Sequence, residues 1–181
     1  MASKDVITMV KGRAWTLGDN VNSESILMSG EEERWDVVMK HVLEFYDPEF
    51  AGNVQEGDVI VAGKNFGASS GRPSGQILRN VGIRALICES AGNVFYRNTW
   101  NIGLPVLKCP AIAGKIKKGD VIEVDIFSGK ITNTNTNEVF QAQPIEPILL
   151  EIYQQGNLIN WIISRKNEYD TIEKKTMNEG N

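Results

Sequence analysis

The stretch GDVIVAGKNFGASSGRPSGQILRNVGIRALICES, residues 57–90, predicts the core of the fold. Its first part, GDVIVAG, is an apolar run rich in β-branched residues and bounded by glycines, which is typical of a buried strand. GQILRNVG then predicts a helix that stops at Gly82, and IRALICES predicts a second buried strand. A strand, a helix and a strand in this order indicate a parallel β-α-β core.

The segments on either side extend this core. VITMVKGRAW predicts a first strand, and RWDVVMKHVLEF, residues 34–45, predicts a helix with one apolar face. AGNVFYRNTWNIG predicts a turn or a short helix before a third strand, LPVLKC. Residues 119–144 alternate apolar and polar side chains around SGK and TNTN turns, which is typical of antiparallel strands. Residues 144–167 then predict helices broken at Gly156. We expect one domain over residues 1–165 and a polar tail over residues 166–181.

The composition limits the classes of function. The chain has 181 residues, of which 41% are hydrophobic and 23% charged, and this suits one globular domain with its own core. Its net charge is −4 and its sequence pI is about 5.1. Since no block of Lys and Arg is present either, we expect no nucleic-acid partner.

The cysteines and the N-terminus indicate the compartment. Cys88 and Cys109 are far apart in apolar contexts, which favours buried thiols in a reducing compartment over a disulfide. Two such cysteines and the lone His41 do not supply four ligands for a structural zinc ion. No segment approaches the roughly 18 apolar residues of a membrane span, and no apolar leader region is seen. We expect a cytoplasmic protein without a membrane partner.

The loop within KNFGASSGRPSGQILRN, residues 64–80, is richer in glycine and serine than a plain connection requires. Such a loop between a strand and a helix presents free backbone N–H groups and hydroxyls, which suit an anion. Arg72 adds a planar donor suited to a carboxylate. The loop matches neither the phosphate-binding pattern nor the dinucleotide pattern. It therefore predicts a site for a small carboxylate.

Several motifs in a fixed order carry a resemblance to a known family. They are GRAWTLGDNVNSESI, EGDVIVAGKNFGASSGRPS, ALICESAGNVFYRNTWNIGLPVL and GDVIEVDI. In this order they resemble the small subunits of 3-isopropylmalate dehydratase, in the aconitase superfamily, over residues from about Val10 to about Ile163. The resemblance implies an α/β fold, namely the swivelling β/β/α domain of that superfamily.

The resemblance also implies an enzyme, a partner and a pathway. The chain would be a hydro-lyase subunit that is active only with a large subunit, as a heterodimer or a heterotetramer, and leucine biosynthesis would be its pathway. The partner would hold a 4Fe-4S cluster that binds the substrate as a Lewis acid. We expect no cofactor in this chain itself, since its cysteines are too few for a cluster.

The resemblance assigns roles to the glycine- and serine-rich loop. In the family this loop usually reads Gly-Ser-Ser-Arg-Glu-His, and its first Ser is the base that removes a proton from a substrate carbon. Aligned on NFG, that Ser falls on Ser70, the Arg on Arg72, and Gly71 replaces the second Ser. We therefore expect Ser70 to be catalytic and Arg72, Ser69 and Gly71 to bind substrate. Three further positions, Ala68, Pro73 and Ser74, replace the family's Cys, Glu and His.

Three more residues are candidates for substrate binding. Glu24 keeps a carboxylate where the family commonly has Asp in an Asp-Thr-Asp motif. EEER, residues 31–34, aligns with a Tyr-Leu-Arg-Thr segment that touches the substrate's variable group in isopropylmalate enzymes. Arg34 would there meet a further carboxylate, although acidic residues also suit a solvated first helical turn. Arg97 in FYRN matches a segment near the active-site face, and its neighbours Phe95 and Tyr96 are expected to pack.

Other functions are compatible with the same residues. Ser69 and Ser70 would have a structural role if they only capped the following helix. The chain would be a docking or regulatory subunit if the altered loop had lost its chemistry. It would be a stand-alone anion-binding module if it bound carboxylates without a partner. Among enzymes, the substrate is open between isopropylmalate, 2,3-dimethylmalate and homoaconitate or related tricarboxylates.

Overall fold

A seven-stranded mixed sheet organises the chain in the computed structural model, which describes residues 7–26, 35–69, 73–110 and 112–166. The spatial order of the strands is β4-β3-β2-β1-β5-β6-β7. Their bounds are β1 Met9–Leu17, β2 Val59–Ala62, β3 Ala85–Cys88, β4 Val106–Lys108, β5 Val121–Asp125, β6 Lys130–Asn133 and β7 Val139–Gln141. The α/β class predicted from the sequence is therefore confirmed.

The first strand, β1, joins two halves of the sheet. Its C-terminal half pairs parallel with β2, with Ala14 opposite Val59 and Leu17 opposite Ala62. Its N-terminal half pairs antiparallel with β5. The strands β2, β3 and β4 continue the parallel half, while β5, β6 and β7 form an antiparallel meander. Both the parallel β-α-β core and the antiparallel region agree with the sequence prediction.

Short helices connect and cover the parallel strands. Their bounds are α1 Trp35–Val38, α2 Phe50–Asn53, α3 Ser74–Asn80, α4 Asn93–Asn101 and α5 Pro147–Gln154, followed by α6 over residues 158–166. The break predicted at Gly156 is confirmed, since the backbone φ of that residue is +82°. In the part of the chain that the structure describes, no helix is long and apolar enough to cross a membrane.

The helix predicted over residues 34–45 is wrong in its length. Helix α1 gives way to a 3₁₀ turn, Met39–His41, after which Val42 is extended and Leu43 has a φ of +59°. Both Val42 and Leu43 are fully buried, and the backbone N–H of Leu43 donates to the carbonyl of Ile26. Packing of these two side chains into the core therefore overrides the helical periodicity.

The core lies mainly on the parallel half of the sheet. Every residue of β2 and β3 is buried, as expected for parallel strands covered on both faces. In β5, by contrast, only alternate residues are buried. Cys88 and Cys109 are buried free thiols, which confirms that part of the sequence prediction. His41 is exposed, and its ring nitrogen lies 2.7 Å from a carboxylate oxygen of Glu44.

A buried carboxylate, that of Asp58, ties β1 to the start of β2. It accepts hydrogen bonds from Arg13 at 2.8 Å, from the indole N–H of Trp15 at 2.9 Å and from the backbone N–H of Gln55 at 3.0 Å. Burial alone would raise the pKa of Asp58, but these donors favour the charged form, and the pKa lies below its usual value. The paired charge thus stabilises the junction of the two strands.

We expect Asp58→Asn to lower the free energy of unfolding by about 1–3 kcal/mol at pH 7, because it removes the charge from a partly buried hydrogen-bonded pair with Arg13. Since the folded-state pKa of Asp58 is lowered, its contribution is complete above about pH 4 and is lost as the pH falls through the folded-state pKa. Urea unfolding at pH 7 and pH 3 measures both effects. The difference in unfolding free energy between variant and parent should be smaller at pH 3 than at pH 7.

Glu123→Gln is the matched control for this test. Glu123 also pairs with a residue of β1, since Lys11 lies 2.8 Å away, but the two side chains are 36% and 60% exposed. An exposed pair contributes little, so we expect a change within about 0.5 kcal/mol. Equal losses of stability in the two variants would contradict the role given to Asp58.

Candidate functional site

Three loops that follow parallel strands meet at one edge of the sheet. They are residues 18–26 after β1, residues 63–69 after β2 and residues 89–92 after β3. Ligands of open α/β sheets bind outside the carboxyl ends of the strands, because loops from neighbouring strands converge there. This edge is therefore the candidate site, and it includes the loop that the sequence singled out.

Backbone hydrogen bonds hold the first loop against the second. The N–H of Gly67 donates to the carbonyl of Val21 at 2.7 Å, and the N–H of Ser23 donates to the carbonyl of Ala68 at 2.9 Å. An isolated parallel bridge also joins Asn22 to Ala68. The pairing of β1 with β2 thus continues beyond the ends of the strands and fixes the loops relative to each other.

The second loop is held from the other side by residues that follow β3. The N–H of Phe66 donates to the carbonyl of Ser90 at 3.0 Å, and the N–H of Gly92 donates to the carbonyl of Phe66 at 2.8 Å. The rings of Phe66 and Phe95 pack edge to face with centroids 5.4 Å apart. Helix α4, which carries Phe95, is therefore packed directly against this loop.

A carboxylate and a hydroxyl are in contact at this edge. The hydroxyl of Ser69 donates to Oε1 of Glu24 at 3.3 Å, and both residues are exposed. Ser69 has a φ of +62°, in the left-handed region that residues other than glycine rarely adopt. Strained backbone of this kind is often found at functional sites, where the surroundings hold it in place.

The seven residues predicted to be catalytic or to bind substrate fall into three groups, and two further residues were predicted only to pack. The structure brings Ser69 and Glu24 together. Arg97 lies exposed on α4, and no contact joins it to Glu24 or Ser69 among the described residues. The packing role predicted for Phe95 and Tyr96 is confirmed, because both are buried. Four predicted residues lie outside the described residues: Arg34, Ser70, Gly71 and Arg72.

The structure also addresses the helix-capping alternative for Ser69. Helix α3 begins at Ser74 after Pro73, and no side chain caps its first turn among the described residues. The hydroxyl of Ser69 is directed to Glu24 instead. Ser69 therefore belongs to the polar contact at the sheet edge.

The two cysteines of the chain do not present metal ligands at this edge. Burial raises the pKa of the Cys88 thiol to about 12, an effect that Lys108 opposes and Cys109 reinforces. Burial also raises the pKa of Cys109. Metals bind the thiolate form, which these environments disfavour. Within the described ranges, no group of three or more His, Cys, Asp or Glu side chains is placed to hold a metal ion.

Sequence reasoning did not identify two residues that shape the site. Ser23 is fully buried, and its hydroxyl contacts the carbonyls of Ala68 and Ser69. The hydroxyl of Tyr46 accepts a hydrogen bond from the backbone N–H of Asn22 at 3.1 Å. For Ser23, the one sequence signal was a small polar residue between the apolar Val21 and Ile26, which are both buried. The contact of Tyr46 could not be predicted, because it depends on the turn that follows the 3₁₀ segment.

The fold and the edge together define a class, an α/β domain that presents a hydroxyl and a carboxylate on loops after parallel strands. Comparison with known proteins narrows this class. The aconitase C-terminal domain family matches residues 13–111. The chain is 36% identical over 159 residues to a 3-isopropylmalate dehydratase small subunit of Thermodesulfovibrio yellowstonii, covering 86% of this chain and 95% of that protein.

Two further comparisons point to the same family. The chain is 37% identical over 155 residues to a methanogen homoaconitase small subunit of Methanothermobacter thermautotrophicus, covering 84% of this chain and 89% of that protein. The crystal structure of a 3-isopropylmalate dehydratase from Methanocaldococcus jannaschii matches with a TM-score of 0.82 and 32% identity. That match covers 90% of this chain and 98% of the other.

The chain therefore belongs to the aconitase C-terminal domain family, in the branch of 3-isopropylmalate dehydratase small subunits and their relatives. This confirms the resemblance that the sequence motifs carried, including the swivelling-domain type of α/β fold. It also confirms the predicted enzyme class, a hydro-lyase of the dehydratase type.

We expect Gly67→Ala to disrupt this edge. Gly67 has a φ of +70°, and an added Cβ would lie 2.2 Å from the ring of Phe95. Because the ring is buried in the core, the variant should lose about 2 kcal/mol or more of unfolding free energy. Urea or thermal unfolding of the isolated chain measures this loss.

Gly18→Ala is the matched control at the same edge. Nothing lies within 4 Å of a Cβ built at Gly18, and its φ is outside the left-handed region. We expect its stability to stay within about 0.5 kcal/mol of the parent. If Gly67→Ala were as stable as Gly18→Ala, the packing described between α4 and the second loop would be wrong.

Proposed function

We propose that this chain is the small subunit of a hydro-lyase that removes and re-adds water on a hydroxy di- or tricarboxylic acid. The observation that carries the proposal is the contact of Ser69 with Glu24 at the edge where three loops meet. A hydroxyl and a carboxylate held together beside parallel strand ends suit the handling of protons and hydroxyl groups. Family membership supplies the reaction class.

The reaction places three demands on the enzyme. A proton leaves one carbon of the substrate, the hydroxyl group leaves the neighbouring carbon, and the negatively charged carboxylates must be held throughout. We propose Ser70 as the base that takes the proton and Arg72 as the residue that binds a substrate carboxylate. Support comes from the resemblance of the loop and from its described neighbours, since Ser69 lies at the candidate edge and Pro73 immediately precedes α3.

A serine hydroxyl is a weak base at its ordinary pKa, so this role requires positive charge and backbone N–H groups nearby. Arg72 is the cation that the loop itself supplies. Gly71 removes side-chain bulk between Ser70 and Arg72, which favours close approach of substrate to the backbone. These residues form one unit in the proposal, in which Ser70 takes the proton while Arg72 and Gly71 bind the substrate beside it.

Glu24 has a different role in the proposal, because a carboxylate repels the carboxylates of the substrate. We propose that Glu24 orients the Ser69 hydroxyl and accepts a hydrogen bond from a hydroxyl group of the bound substrate. Arg34 and Arg97 are proposed to bind the remaining carboxylate groups, Arg34 in the specificity segment and Arg97 from the exposed side of α4. Exposure of Arg97 is compatible with contact to substrate or to the partner.

We propose that the 4Fe-4S cluster of this reaction is held by the large subunit. The buried thiols Cys88 and Cys109 and their raised pKa values do not suit cluster ligands on this chain. Bound in the partner, such a cluster supplies a Lewis acid for the substrate hydroxyl and carboxylate. The residues of this chain would then bind the substrate carboxylates, orient the molecule and take up the proton.

Isopropylmalate is the first candidate substrate, and it would place the enzyme in leucine biosynthesis. Relatives of this chain include both isopropylmalate and homoaconitase subunits. Isopropylmalate enzymes often have the sequence Tyr-Leu-Arg-Thr at the position of the acidic segment EEER. Because of this difference, 2,3-dimethylmalate and homoaconitate are the alternative substrates to be tested. Arg34 favours a substrate with an additional carboxylate in that comparison.

The partner is proposed to be a large subunit, in a heterodimer or a heterotetramer, that covers the candidate edge. Phe45 is 69% exposed and lies next to Tyr46, whose hydroxyl contacts the first loop of the site. An exposed aromatic side chain at this position suits a protein interface. We also propose the cytoplasm as the compartment, since Cys88 and Cys109 are free thiols. Residues 1–165 are proposed as the swivelling domain, with 166–181 as its tail.

We expect Ser70→Ala to lower kcat by about 10²–10⁴-fold, which is the usual contribution of a general base. Arg72→Lys should raise KM at least about 10-fold, because a bidentate contact to a carboxylate is lost. The assay uses the chain copurified anaerobically with its large subunit and follows the absorbance of the unsaturated product. The panel contains isopropylmalate, 2,3-dimethylmalate, citrate and homocitrate.

Ser128→Ala is the control, because Ser128 is an exposed turn residue between β5 and β6 in the other half of the sheet. It should have the kcat of the parent. Unchanged turnover in Ser70→Ala would instead support a docking or regulatory subunit. Binding of a panel acid by the isolated chain, without turnover by the complex, would support a stand-alone anion-binding module.

A further inference from the structure

We propose that Ser23 is a positioning residue for the hydro-lyase site, acting through the carbonyl of Ser69. Ser23 is 0% exposed, and its hydroxyl donates toward the carbonyl of Ser69, with the carbonyl of Ala68 at 3.3 Å. Being buried, it is kept from contact with substrate. The inference rests on the proposed function, because it concerns the loop that carries the proposed base.

Ser23 is itself fixed by its neighbours. Its backbone N–H donates to the carbonyl of Ala68 at 2.9 Å. The preceding residue, Asn22, donates its backbone N–H to the hydroxyl of Tyr46 and accepts the N–H of Ser25 at its side-chain oxygen. Because these contacts fix the backbone of Ser23 and of its neighbour, the Ser23 hydroxyl is held at a defined position. Ser23 thus restrains the second loop through the carbonyls of Ala68 and Ser69.

The backbone conformation of Ser69 requires such a restraint, because its φ of +62° is unfavourable for a residue with a side chain. Among the described residues, two side-chain contacts hold it in this conformation. Its hydroxyl donates to Glu24 at 3.3 Å, and its carbonyl accepts from Ser23. The contact to Glu24 is exposed to solvent, whereas the contact to Ser23 is partly buried. We therefore assign the larger part of the restraint to Ser23.

The carbonyl that Ser23 holds belongs to the peptide bond that joins Ser69 to Ser70. A peptide bond is planar, so restraining its oxygen restrains the direction in which the chain enters the proposed catalytic segment. Misplacement of a reacting group by about 1 Å costs on the order of 100-fold in rate. Loss of the Ser23 hydroxyl should consequently act on kcat more than on KM.

The experiment compares variants of Ser23 in the copurified complex with its large subunit. We expect Ser23→Ala to lower kcat at least about 10-fold, with KM within about 2-fold of the parent. Ser23→Thr keeps the hydroxyl and should restore at least half of the parental kcat. Ser25→Ala is the matched control from the same loop and should behave as the parent. If Ser23→Ala does not fold, Ser23→Cys, which keeps similar volume with a weak donor, replaces it.

A second readout does not depend on turnover. Amide hydrogen exchange of the isolated chain should be faster in peptides covering residues 66–72 for Ser23→Ala, and unchanged for Ser23→Thr and Ser25→Ala. Parental kcat and parental exchange in Ser23→Ala would overturn the inference. So would an equal loss of kcat in Ser23→Thr and Ser25→Ala, since it would indicate only general packing.

The outcomes separate this inference from the function on which it rests. If the parent complex turned over none of the panel acids, the proposed function would fail, and the exchange comparison would still decide whether Ser23 restrains the loop. If Ser70→Ala lost activity while Ser23→Ala kept parental kcat and exchange, the proposed function would stand. The positioning role of Ser23 would then be wrong.

Discussion

The parallel pairing of β1 with β2 is the constraint on which the rest of the structure depends. It places Leu17 opposite Ala62, so the chain leaves both strands at the same edge of the sheet. The backbone contacts of Val21 with Gly67 and of Ser23 with Ala68 continue this register into the loops. At the other end, the buried Asp58 holds the same two strands together. One register thus determines both the stability of the junction and the geometry of the site.

The two halves of the sheet have different tasks. The parallel half is buried on both faces and carries the three loops of the candidate site, while the antiparallel meander extends β1 on its other side. The sheet edge of the candidate site presents the polar side chains of Glu24 and Ser69, whereas both cysteines are buried in the core. This division fits a subunit that contributes polar substrate-handling groups while another chain contributes the metal chemistry, as we propose.

The sequence predicted much of this fold, because its signals were local. Buried β-branched runs identified β2 and β3, and alternation identified β5 to β7. The helix over residues 34–45 was too long, since burial of Val42 and Leu43 is a tertiary effect that periodicity does not contain. Two separate family motifs identified Ser69 and Glu24, but their contact joins residues 45 positions apart and neither motif predicts it. Ser23 was missed because its polarity between buried neighbours is only a weak local signal, and its bonds to the carbonyls of Ala68 and Ser69 depend on the tertiary fold.

Hydrogen–deuterium exchange of this chain, alone and in complex with its large subunit, tests the central claim most directly. In our proposal, loops 18–26, 63–69 and 89–92 form one side of the substrate site, and the partner forms the other side. We expect complex formation to slow exchange in these loops, and an acid that the complex turns over to slow it further, while residues 121–141 are unaffected. Protection confined to residues 121–141 or 158–166, with the three loops unchanged, would contradict it.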